Sequence, residues 1–180
     1  MDFVTSFKLP KSQGYDTIWV VVDRLTKAGH FVPCCSSVNA TGLADLFVQH
    51  IFRLHGLPNS IVSVWGPQFA AAFLKRLRLC NRLGIDRRLT TGTTFHPESD
   101  GQTECMNAIM EQYLRAHVSY LQDDWPTWLP LTEFATNNQA SETTGASPFF
   151  GIYGRDPVWQ YDLTPPATND ADDRRAHATA

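Results

Sequence analysis

The chain has 180 residues, 43% of them hydrophobic and 18% charged, and a formal net charge of −3. This length and balance describe one globular domain able to bury a core, and exclude a disordered chain. No apolar run reaches the length of a membrane span, the start lacks the basic and apolar regions of a signal peptide, and the four cysteines include no C-x-x-C pair. The expected location is nuclear or cytoplasmic, with reduced cysteines and no zinc site.

Residues 2–9 read as a first strand, with the turn at 10–14. Residues 16–23, Asp-Thr-Ile-Trp-Val-Val-Val-Asp, are apolar on both faces and rich in β-branched side chains, as in a strand covered from two sides. Residues 29–33 make a third strand. Short links between the three predict an antiparallel meander. Asn39 is a candidate N-cap for a helix whose apolar face is Leu43, Leu46, Phe47, His50, Ile51 and Leu54, ended by Gly56-Leu57-Pro58. A short strand at 60–64 precedes a helix from Gly66-Pro67 to about Leu83, and 85–90 reads as the fifth strand. A loop is predicted at 91–102. The next helix, 103–121, has the apolar stripe Met106, Ile109, Met110, Tyr113, Leu114, His117 and Leu121. A last helix at 125–138 takes Asp124 as its cap. The fold class implied is α/β, a mixed five-stranded sheet flanked by helices on both faces. Residues 1–157 form the domain; beyond them the pattern fades, and 164–180 are small, polar and proline-containing, so 158–180 is expected to be a disordered tail.

Two local patterns carry chemistry. Between residues 74 and 89 the chain holds Lys75, Arg76, Arg78, Arg82, Arg87 and Arg88 against Asp86. Lys75, Arg78 and Arg82 share one helix face, which suits either a phosphate-contacting stripe or a solvated surface. The second pattern is the run from His96 to Glu104 with Asn107 beyond it. It sets the Glu104 carboxylate in the first turn of the 103–121 helix, suited to gripping a divalent cation beside a phosphodiester. Aspartate at residue 23 reads as the anchor of a turn.

These motifs together resemble the integrase catalytic core of gypsy-type LTR retrotransposons, relatives of retroviral integrases with an RNase H-like fold. The carriers are Met1-Asp2-Phe3, the run from Val20 to Lys27, His55-Gly56-Leu57-Pro58 with Ile61-Val62-Ser63, and Gly66-Pro67-Gln68-Phe69. The run from His96 to Asn107, and Ser147-Pro148-Phe149-Phe150 with Tyr153-Gly154-Arg155, complete the set. The resemblance implies a metal-dependent polynucleotidyl transferase for DNA integration, in which three carboxylates hold two Mg²⁺ or Mn²⁺ ions. It maps the first aspartate to Asp2 and the glutamate to Glu104, both as catalytic and metal residues. The Ser-Asp-Arg-Gly motif of the second aspartate reads Ser63-Val64-Trp65-Gly66, so Val64 stands where a ligand is needed. Asp100 and Asp86 are the acidic residues that could substitute.

The basic stripe of Lys75, Arg78 and Arg82 is a candidate nucleic-acid contact, and the resemblance adds His96 and Asn107 as candidates, DNA as partner (RNA is the other candidate), and a homo-oligomer. Cys105 and Ala108 fall where basic or polar side chains are usual. A zinc-binding domain before the core and a DNA-binding domain after it are absent from the sequence, which reads as a truncated, degenerate core. The expectation is a catalytically impaired transferase. The alternative is a non-catalytic nucleic-acid-binding or self-association module, or a decayed remnant with no selected role.

Overall fold

A computed structural model describes residues 1–4, 10–62, 67–80, 90–92 and 97–158, without the side chains of 67, 78–80, 90–92 and 97–102. Its first three strands are β1 (Asp2–Val4), β2 (Thr17–Val22) and β3 (Gly29–Cys34). They form an antiparallel sheet in the order β1-β2-β3, with Asp2 opposite Val20 and Val22 opposite Gly29. The meander follows the short links, since a two-sided apolar strand must lie centrally. Side chains of β2 alternate between two cores. Trp19 and Val21 pack with Val32, Leu43, Phe47 and Phe73 on one face, and Ile18 and Val20 with Phe31, Met106, Met110 and Leu114 on the other.

The first face is covered by α1 (Ala40–Phe47) and α3 (Pro67–Cys80). Asn39 caps α1 as its composition predicts, its Oδ1 accepting from the Gly42 amide at 2.8 Å. A π-helical turn, Val48–Phe52, then leads into the short α2 (Arg53–His55), ended by Gly56 at φ +75°. The wider i→i+5 turn displaces later residues from the expected stripe. Leu43, Phe47 and Ile51 are buried, whereas Leu54 is 55% exposed.

Strand β4 (Ser60–Val62) pairs in parallel with β5 (Thr90–Gly92), and α3 lies in the crossover between them. The five strands therefore form two hydrogen-bonded sets among the described residues, not the single five-stranded sheet expected. The Met1 ammonium donates to the Val62 carbonyl at 3.0 Å, which brings β1 against β4. Most of the expected strand at 85–90, the tail from 159 onward, and Val64, Arg82, Asp86 and His96 lie outside the described residues.

The second face is covered by α4 (Pro97–His117) and α5 (Trp125–Asn137). Helix α4 begins six residues earlier than expected, because Pro97 suits a first helical position, where its missing N–H has no intrahelical partner to lose. Glu104 therefore sits about two turns inside the helix, not in its first turn. The helix also stops at His117, so Leu121 lies beyond it, 72% exposed, while Met106, Met110 and Leu114 form the buried stripe. Asp124 precedes α5 without capping it. Its carboxylate instead accepts from the Trp128 indole at 2.9 Å and the Ser119 amide at 3.0 Å. A final short helix, α6 (Pro148–Tyr153), is capped by Ser147 at its start and by Gly154, φ +69°, at its end. No described helix is long and apolar enough to cross a membrane.

Candidate active site

A cavity of about 950 Å³ opens where β1, the β2–β3 turn, the segment from α2 to β4, and α4 meet. Asp2, Thr103 and Glu104 line it, and so do Ile61 and Val62 of β4. Asp2 is half-buried, fixed by its strand opposite Val20, and its Oδ1 accepts from the Phe3 amide at 2.7 Å. Glu104 is exposed on α4, next to buried Thr103. The packing of Met106 and Met110 against β2 turns this face of α4 toward the cavity. A Cβ on Gly29 would lie 3.2 Å from the Met106 sulfur, so the Met106 side chain packs closely against the backbone of β3 at this glycine.

The two mapped carboxylates thus line one cavity, one from strand β1 and one from helix α4. Val64 follows two residues after Val62, outside the described residues. Among the described residues no group of three His, Cys, Asp or Glu side chains is arranged to hold a metal ion. Asp2 and Glu104 by themselves are an incomplete set for a pair of hard divalent cations, which need charge compensation and carboxylate oxygens.

The other expected contacts are distributed differently. Lys75 is exposed on α3, while Arg76 beside it pairs with Asp45 at 3.2 Å. The side chain of Arg78 lies outside the described set. Asn107, one turn beyond Glu104, is half-buried, and its Oδ1 is buried without a hydrogen-bond partner among the described residues.

Several residues of the cavity were recognised in motifs but given no role there. Asp23 anchors the β2–β3 turn as expected, its Oδ2 accepting from the Thr26 amide at 3.0 Å and hydroxyl at 2.6 Å. Burial acts to raise its pKa, but the bonds from Thr26 and the Leu25 amide outweigh that and hold it below the usual 3.8. His30 and His55 also line the cavity, joined Nε2 to Nε2 at 2.8 Å. Glu133 of α5 holds His30 Nδ1 at 2.9 Å and accepts from the Phe31 amide at 2.8 Å. One proton serves the imidazole–imidazole contact, and the tautomer decides which ring donates it. Burial, and then His30, keep the pKa of His55 below 6.5. The signal for this cluster was present in the sequence as Gly-His-Phe and His-Gly-Leu-Pro. Nothing in their spacing said that they meet.

No family model matches the chain. Over 183 residues it is 29% identical to the transposon Tf2-3 polyprotein of Schizosaccharomyces pombe (strain 972 / ATCC 24843), and equally to the Tf2-4 polyprotein of that organism. The match takes in 99% of this chain and 13% of each polyprotein, so the chain spans a small part of the length of these curated relatives. Among solved structures it is similar to the HTLV-2 integrase catalytic core domain in complex with magnesium, with a TM-score of 0.53 and 20% identity, covering 78% of this chain and 87% of that one. The catalytic core domain of BIV integrase gives a TM-score of 0.53 at 24% identity, over 78% and 86% of the two chains. The simian T-cell lymphotropic virus intasome in complex with PP2A regulatory subunit B56 gamma gives 0.57 at 15% identity, over 88% and 57%. The chain is homologous to a region of the Tf2 retrotransposon polyproteins, and its fold is the RNase H-like fold of integrase catalytic cores.

Proposed function

We propose that this region is an integrase-type polynucleotidyl transferase core that binds DNA, but whose strand-transfer chemistry is impaired by the valine at position 64. The observation carrying this reading is that Asp2 and Glu104 line one cavity together with Val62, the strand residue that leads to Val64. In-line displacement at a phosphodiester needs charge compensation on both the attacking and the leaving oxygen, which two metal ions supply when bound. Asp2 and Glu104 are the side chains that would hold a magnesium or manganese ion. Valine offers no oxygen and cannot ionise, so repulsion between two such ions goes uncompensated. The HTLV-2 relative in complex with magnesium supports a divalent metal as the ancestral cofactor.

DNA is the proposed partner, and the exposed Lys75 on α3 suits a backbone phosphate. Self-association is proposed by analogy with the HTLV-2 integrase catalytic core, which is solved in trimeric and dimeric forms. The test is a strand-transfer assay with a labelled donor end and target duplex in magnesium or manganese. The unaltered protein should give products near background. The Val64→Asp, Trp65→Arg double substitution should raise the rate about 100-fold or more, the usual scale for one preorganised stabilising group. Efficient transfer by the unaltered protein would overturn the impairment. A repaired protein that stays inert in both metals would overturn the transferase reading.

A further inference from the structure

The turn joining β2 to β3 is fastened more firmly than a strand connection needs. The Asp23 amide donates to the Ala28 carbonyl at 2.8 Å, and the Lys27 amide to the Asp23 carbonyl at 3.0 Å. Both Thr26 donors converge on Asp23 Oδ2, and Lys27 Nζ donates to the Arg24 carbonyl at 2.8 Å. Lys27 itself is held at φ +65°, a left-handed conformation that lysine adopts only under constraint. From outside, α6 closes on the turn so tightly that a Cβ on Gly151 would lie 3.3 Å from the Thr26 side chain.

What this fastening presents is two side chains that the fold does not use. Arg24 is exposed, and its guanidinium makes no hydrogen bond or ion pair among the described residues. Leu25 is 82% exposed beside it. Both line the cavity that holds Asp2 and Glu104. A phosphodiester approaching two carboxylates is repelled unless a cation stands beside it, and Lys27 is already committed to the Arg24 carbonyl. Arginine is the better of the two for this task, since its planar fork matches phosphate oxygens. A preorganised tip also loses little conformational freedom on binding.

We propose that the Arg24–Leu25 tip is a nucleic-acid contact, with the guanidinium on a backbone phosphate of the strand presented to Asp2 and Glu104 and the leucine against the adjoining sugar. This rests on the DNA-binding reading above, and one experiment separates the two. The full chain is titrated by fluorescence anisotropy into a fluorescein-labelled DNA duplex at salt from 50 to 200 mM. Arg24→Ala should weaken binding several-fold at the lowest salt and reduce the slope of log affinity against log salt by about 0.9, the value for one phosphate contact. The penalty of the substitution should therefore shrink about 3.5-fold across that salt range. Arg24→Lys should keep most of the slope, whereas Leu25→Ala should weaken binding without changing it. Both positions are exposed, and unchanged thermal melts would confirm that the variants fold. If the unaltered chain binds and Arg24→Ala matches it in affinity and slope, the tip is not a contact and the DNA-binding reading stands. If the unaltered chain fails to bind at 50 mM salt, both fall together.

Discussion

Replacing Asn137 by alanine should cost more stability than any other polar substitution on α5. Its side chain is 3% exposed and grips one residue of the edge strand β3 from both sides. Oδ1 accepts from the Gly29 amide at 2.8 Å and Nδ2 donates to the Gly29 carbonyl at 2.8 Å. Alanine leaves that amide and carbonyl buried without partners, each at about 1–3 kcal/mol, so the loss should be about 2–6 kcal/mol. For a chain of this size each kcal/mol lowers the melting temperature by about 2–4 °C. Urea unfolding followed by tryptophan fluorescence reads the loss directly. The neighbouring Asn138 is the control, because its Oδ1 is buried with no hydrogen-bond partner among the described residues. Asn138→Ala removes no bond of that oxygen and should stay within about 0.5 kcal/mol of the unaltered protein. A loss below about 1 kcal/mol for Asn137→Ala, or equal losses for the two, would refute the idea that α5 holds the β3 edge through this side chain.

Acidification should weaken the fold between neutral pH and pH 5. Burial, with Arg53 next in effect, holds His50 below 6.5, and burial with His30 does the same for His55. The unfolded chain then takes up protons before the folded one. Stability present above pH 6.5 is lost as the pH falls through that value, and the loss levels off beneath the folded pKa values. Asp23 and Glu133 act on His55 in the opposite sense, so His55→Asn should flatten the profile only in part. A urea midpoint that does not move between pH 7.5 and 5 would count against this account. Alkylation of the thiols should separate just as clearly. Burial, then Cys35 and Asp16, push Cys34 up to about 12, whereas Cys105 is exposed on α4. Mass-spectrometric mapping at pH 8 should find Cys105 modified early and Cys34 only on unfolding. Early modification of Cys34 in the folded protein would contradict its burial.

Much of this protein could be read from residue order, because periodicity reports directly on burial. The unbroken run Ile18-Trp19-Val20-Val21-Val22 had to be a central strand, since only cover on both faces removes its side chains from water, and the two cores divide it residue by residue. Asn39 and Gly56 marked their helix ends through local backbone chemistry, which needs no tertiary information. Prediction erred where local rules compete. Asp124 has the composition of a cap, but the Trp128 indole claims its carboxylate, and the π-helical turn at 48–52 has no signature in apolar spacing.

Resemblance to integrase cores named Asp2 and Glu104, but folding decided that they share a cavity. Folding also decided that Arg24, His30 and His55 stand in its wall. The roles of Glu133 and Asn137 were invisible beforehand, since each reads as a polar residue on a helix until α5 is laid along β3 and a bare strand edge needs donors and acceptors. Periodicity records which way a side chain faces. It says nothing of what it will meet a hundred residues away, and the unpaired backbone of β3 finds its partners only when the chain has closed over it.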